Sequence, residues 1–227
     1  MNEFLRQTAA IARKDLRVEL RNKEVTNAAL SFALVVLLLF SFAFDPISNP
    51  DTRSMAGGLL WIVYSFAGIL VLNRSFARET ANDCLSALVA APVSGSAIFT
   101  GKLVANGVMI LILEVVTLIP FGVFYDVRWT DRFPQLFAVL VLGTLSFTIV
   151  GVVFGAVTAN NRLRELMLPL LVFPIALPAL MACVELTRVI FAGEPIGDAF
   201  VWFKLLISFD VVFALLGASL LDYVLAA

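Results

Sequence analysis

Of the 227 residues, 61% are hydrophobic and only 15% charged, and the mean hydropathy is +0.98. Water-soluble domains are about half apolar and a quarter charged, so the excess apolar surface of this chain has to face lipid. The net charge of −1 offers no basic face for nucleic acid. The absence of histidine removes the commonest metal ligand and general base, and with them any His-ligated haem site.

The first element in chain order is an amphipathic helix over residues 3–22. Leu5, Ala9, Ala12, Leu16 and Leu20 recur at helical spacing, while Arg6, Arg13, Arg17 and Arg21 gather on another face. Asp15 and Glu19, four apart, interrupt the apolar side. The pattern fits a surface helix anchored to anionic lipid and equally an elbow that also touches a cytoplasmic partner. Polar and charged residues run up to the first apolar stretch and further spans follow it, which is not the pattern of a cleavable signal peptide.

Six later stretches, near 27–44, 56–73, 103–125, 135–159, 166–184 and 201–221, are apolar enough to cross a bilayer core of about 30 Å, which takes around 20 residues. Lipid offers backbone groups no partner outside a helix or a closed barrel, and these runs lack the period-two alternation of barrel strands. The chain is therefore expected to be all-α, one domain of six spans. Turn and charge chemistry separates them, as in Asp45-Pro46 through Arg53 and Asp126 through Pro134. With the N-terminus inside, eleven basic residues fall on the cytoplasmic side and five on the other, although the loops alone tie at five each. Both termini are expected in the cytoplasm.

Residues 74–102 form the most informative loop. Thr80 or Asn82 can cap a short helix with Asp83 in its first turn. Cys84, Leu85, Leu88 and Val89 then make one apolar stripe, Pro92 bars continuation, and Arg78 and Glu79 give the helix a charged base. Such an exposed apolar knob needs something to pack on, either a partner or the membrane domain of the chain itself. No enzyme motif is present. Gly95 through Leu103 has five residues rather than four between its glycines, and leucine follows Lys102, so it lacks the Ser or Thr of a phosphate-binding loop.

Within the spans, Glu114 and Asp210 stand out, since a carboxylate at the bilayer centre costs roughly 3 kcal/mol or more. They line a polar path, act as a latch, or serve as hydrogen-bonded packing. Pro169, Pro174 and Pro178 interrupt span five and free the carbonyls of Glu165, Leu170 and Pro174, giving a mobile bend or a fixed kink. Gly151, Gly155 and Ala159 offer a small-residue face, for packing within the subunit or for a dimer seam. Cys84 and Cys183 fall in different topological regions, so no disulfide between them is expected.

Phe76-Ala-Arg78-Glu79, Leu85-x-x-Leu88, Ala91-Pro92-Val93 and Gly101-Lys102 resemble the coupling loop of ABC exporter permeases. Leu60-Trp61-Ile62, Phe66-Ala67-Gly68 and Leu72-Asn73-Arg74-Ser75-Phe76 narrow the resemblance to the CcmB family of cytochrome c maturation permeases. So does Arg164-Glu165-Leu166-Met167-Leu168-Pro169-Leu170-Leu171, with Pro174 and Pro178 after it. One departure is Asn82-Asp83 where the loop often has Asp-Gly.

The resemblance implies a non-enzymatic permease in the bacterial inner membrane, a homodimer, coupled to a CcmA-like ATPase through Arg78, Glu79, Asp83, Leu85, Leu88 and Pro92. ATP enters through that partner; no cofactor or metal is assigned to this chain itself. CcmC-like and CcmD-like proteins and a CcmE-like haem chaperone are further implied partners, with haem handled by the complex. The alternatives are a non-transporting scaffold for haem-handling partners, a permease of an ABC exporter for another substrate, or an ion-coupled transporter.

Overall fold

A computed structural model describes residues 2–81, 93–159, 161 and 163–226, and all regular structure among these residues is helical. Helix α1 (Asn2–Asn22) is amphipathic and lies against the start of a later span. Lys23 then adopts a left-handed conformation (φ 53°) and breaks the chain direction before α2 (Glu24–Phe44). Glu19 supports this junction. Its Oε1 accepts hydrogen bonds from the Thr26 backbone N–H at 3.2 Å and the Thr26 hydroxyl at 2.9 Å, satisfying a donor in the first turn of α2.

Asp45 (φ 43°) ends α2 with its N–H on the Ser41 carbonyl, and Asp126 (φ 51°) ends α5 in the same way on Gly122. Aspartate is among the few side chains that tolerate this conformation. A short α3 (Pro50–Ser54) leads into α4 (Ala56–Ala81). Ser94 caps α5 (Gly95–Tyr125) by accepting from the Ala97 N–H. A 3-10 turn, Trp129–Arg132, precedes α6 (Phe133–Thr158), and α7 (Arg164–Ala192) and α8 (Phe200–Ala226) complete the chain. Six of these helices (α2, α4, α5, α6, α7 and α8) are long and apolar enough to span a membrane.

The arrangement is a bundle with α4 and α6 inside. Both are 67% buried over their apolar windows, against 17% for the outer α2 and α8. Helix α6 touches α4, α5, α7 and α8. Small residues allow that closeness: a methyl group on Gly151 would lie 2.4 Å from a Leu72 methyl of α4, and one on Gly143 would lie 2.3 Å from the Trp61 ring. The Gly151 face therefore packs within the subunit.

Several spans run past their apolar stretches. Helix α4 continues from 73 to Ala81, α5 begins at Gly95 rather than 103, and α7 extends from 184 to Ala192. Hydropathy registers the bilayer thickness and not the end of a helix. The 31 residues of α5 reach about 46 Å at 1.5 Å each, well beyond the hydrocarbon core.

Candidate functional site

The helices that flank residues 82–92 are tied to α1. Lys102, the eighth residue of α5, is fully buried. Its Nζ donates to the Ser75 carbonyl of α4 at 3.0 Å and lies 3.4 Å from Asp15 Oδ2 of α1. Asn106, one turn along, donates its amide to the Ser75 hydroxyl at 2.8 Å. Helix α1 sits close enough on α5 that a methyl group on Gly101 would meet Ile11 at 2.8 Å. A lysine is almost never fully buried unless paired. Here it joins three helices on either side of residues 76–92.

This contact resolves the two acids on α1. The face packed on the bundle carries Ile11, Ala12 and Glu19, all buried, and the half-buried Asp15. Leu5 and Leu20 remain more than half exposed beside it. The expected apolar stripe is thus split: Ala12 and, in part, Leu16 meet protein, whereas Leu5, Ala9 and Leu20 stay exposed. Asp15 and Glu19 do not interrupt a lipid face; they point into the protein as docking groups.

A second polar layer lies inside the membrane region and is organised by α6. The Thr144 hydroxyl donates to Glu114 Oε2 at 2.6 Å, and the Ser146 hydroxyl donates to Asp210 Oδ1. Residues two apart on a helix point to roughly opposite faces, so α6 holds the carboxylates of α5 and α8 apart rather than together. Tyr64 of α4 donates to the Glu114 carbonyl at 2.8 Å, and the Trp61 indole donates to the Thr187 hydroxyl of α7 at 2.9 Å. Glu114 is 1% exposed, with a void of about 10 Å³ beside it that has room for a water at most. Asp210 Oδ2 is buried with no hydrogen-bond partner among the described residues. Among the described residues, the α6 hydroxyls are the side chains that hydrogen-bond these carboxylates, so the layer joins α5, α6 and α8.

Of the residues expected to couple to an ATPase, Asp83, Leu85, Leu88 and Pro92 lie outside the described residues. Arg78 and Glu79 fall on the backbone of the last two turns of α4, and their side chains are likewise outside the description. Pro169, Pro174 and Pro178 sit within one continuous helix, α7, so the span is not divided; Pro174 and Pro178 occupy its exposed side. Thr144 and Ser146 were not singled out by sequence, whereas Lys102 stood in the Gly101-Lys102 motif of the coupling-loop resemblance with no role in docking α1 assigned to it.

The family described as CcmB protein matches residues 6–221. Heme exporter protein B of Rhodobacter capsulatus is 30% identical over 179 residues, which cover 79% of this chain and 81% of the relative. The protein of the same name from Paracoccus denitrificans gives the same values, and that from Haemophilus influenzae is 26% identical over 178 residues, 75% of this chain and 76% of its own. The match runs from the docking helix α1 through the last span, and the chain belongs to the CcmB family.

Proposed function

We propose that this chain is the membrane permease subunit of an ABC-type haem exporter serving cytochrome c biogenesis, driven by a separate CcmA-like ATPase. The observation that carries the reading is membership of the CcmB family across residues 6–221, with relatives named Heme exporter protein B. The chain does no chemistry of its own; ATP is hydrolysed in the partner, and haem is cargo. The complex lies in the inner membrane with both termini of this chain in the cytoplasm. Two copies pair with two ATPases and assemble with CcmC-like and CcmD-like proteins, and the cycle releases a haem-loaded CcmE-like chaperone.

The described flanks of the coupling segment support a mechanical role. Residues 82–94 are bracketed by α4 and α5, which continue directly into spans. A push on this segment reaches the bundle through α4 and α5 as levers, and Lys102 ties both to α1. Further along, Tyr64 of α4 is bonded to the Glu114 carbonyl of α5, so the two levers are stapled again inside the membrane. Displacement then passes to the α6 hydroxyls and the outer helices.

The test is a Leu85→Asp, Leu88→Asp double variant and, separately, Glu79→Lys. The expected outcome is loss of ATPase copurification for the first and loss of ATP-dependent output for the second, with helical content and thermal midpoint retained. Unchanged copurification and output in both would defeat the proposal.

A further inference from the structure

The end of the bundle opposite α1 holds a cavity of about 690 Å³. That volume suits a cofactor-sized molecule rather than a single small ion. Five basic residues serve this end of the chain, Arg53, Arg128, Arg132, Arg188 and Lys204, and the four arginines among them all line the cavity. They arrive from α3, the α5–α6 connection, the 3-10 turn and the last turns of α7. This convergence also accounts for the tied loop count: the arginines gather at a site instead of spreading over the loops.

Three carboxylates line the same cavity, and two of them are already matched. Asp126 pairs with Arg53 at 3.0 Å, and Glu194 lies 4.0 Å from Arg188. Asp131 accepts from the Thr130 hydroxyl at 3.4 Å. Arg132 caps the end of α7 by donating to the Gly193 and Glu194 carbonyls, where the left-handed Gly193 (φ 74°) turns the chain out. Arg128 is exposed and has no hydrogen-bond or ion-pair partner among the described residues. The floor is apolar, formed by buried Val127 and Ile190 and by Phe191, which stacks on Phe121.

We propose that this cavity binds an anionic amphiphile, its apolar body against Val127, Ile190 and Phe191 and its carboxylates on Arg128 and the neighbouring guanidiniums. Guanidinium matches carboxylate in geometry as well as charge. The choice of cargo rests on the reading above: haem is such a molecule, with a flat apolar ring and two carboxylates. No His, Cys, Met or Tyr lines the cavity among the described residues. Recognition therefore runs through the carboxylates and not the iron, so the iron-free porphyrin binds as well as haem.

The experiment titrates protoporphyrin IX and its dimethyl ester into the full chain in phosphatidylcholine nanodiscs without ATP, read as saturable fluorescence change over empty discs. The free acid is expected to bind and the ester to bind at least tenfold more weakly, roughly the loss of one charge-assisted contact. Arg128→Glu, which breaks no existing contact, and Ala192→Glu, which adds a carboxylate to the wall, are each expected to reproduce that loss. Raising salt weakens binding of the acid. Competition by phosphatidylglycerol discs, relieved by Arg128→Glu, supports the anion site and assigns its occupant to lipid. Equal binding of acid and ester, or full binding by both variants, overturns the proposal. Because no ATPase is present, this result is independent of whether residues 74–102 couple to one.

Discussion

Two hydroxyls on α6 decide how the membrane-buried acids are tolerated. A carboxylate in hydrocarbon is costly, and it persists where donors are aimed at it. Thr144 serves Glu114, and Ser146 serves one oxygen of Asp210. Thr144→Val keeps the shape of the side chain and removes the donor. It is expected to destabilise the protein by about 1–3 kcal/mol, the cost of leaving a buried polar group unsatisfied, while Thr144→Ser stays near the wild type. Thermal unfolding of the detergent-solubilised chain measures both. Gly143→Ala is a sterically distinct test in the same layer. Its methyl group would lie 2.3 Å from the Trp61 ring and 2.6 Å from the Cys183 sulfur, so α6 must back away from α4 and α7. The expected loss is about 1–3 kcal/mol from overpacking, seen in the same assay.

At the scale of elements, α1 is held by specific polar groups as well as by burial. Asp15→Asn removes the carboxylate that lies 3.4 Å from the fully buried Lys102. Docking of α1 is expected to weaken by about 1–3 kcal/mol. In a cysteine-free background, Ala12→Cys, buried against the bundle, should then label with a membrane-impermeant maleimide much faster when Asp15→Asn is added. Equal labelling would show that the contact does not hold α1. The helix itself was legible from its arginine spacing. Its docking face was legible only in part: Ala12 and Leu16 belong to the expected stripe, but the docked side also carries Ile11 and two acids that period and hydrophobicity do not select. Span centres were legible for the same reason that their ends were not. Lipid demands apolar length, but a helix such as α4 can continue into water as far as Ala81. The pairs Thr144–Glu114 and Ser146–Asp210 join residues far apart in the chain, and no local pattern announces them.

For the whole molecule, the bundle divides into a clasp at α1, a buried polar layer centred on α6 and an arginine-lined cavity at the far end. The clasp and the layer are linked by α4 and α5, which carry Ser75 with Tyr64 and Lys102 with Glu114 respectively. On the proposed coupling, motion entering between residues 81 and 95 reaches this layer along α4 and α5. The all-α architecture was legible from composition, since six long apolar runs leave lipid no other solution. The convergence of arginines at the far end was not, because their segments are separated by whole spans. The most direct measurement is haem movement by the complete complex in proteoliposomes, comparing a normal partner ATPase with a hydrolysis-deficient one. ATP-dependent haem accumulation that disappears with the deficient ATPase is the expected result. Equal accumulation with either ATPase would contradict the account and leave this chain a scaffold rather than a driven permease.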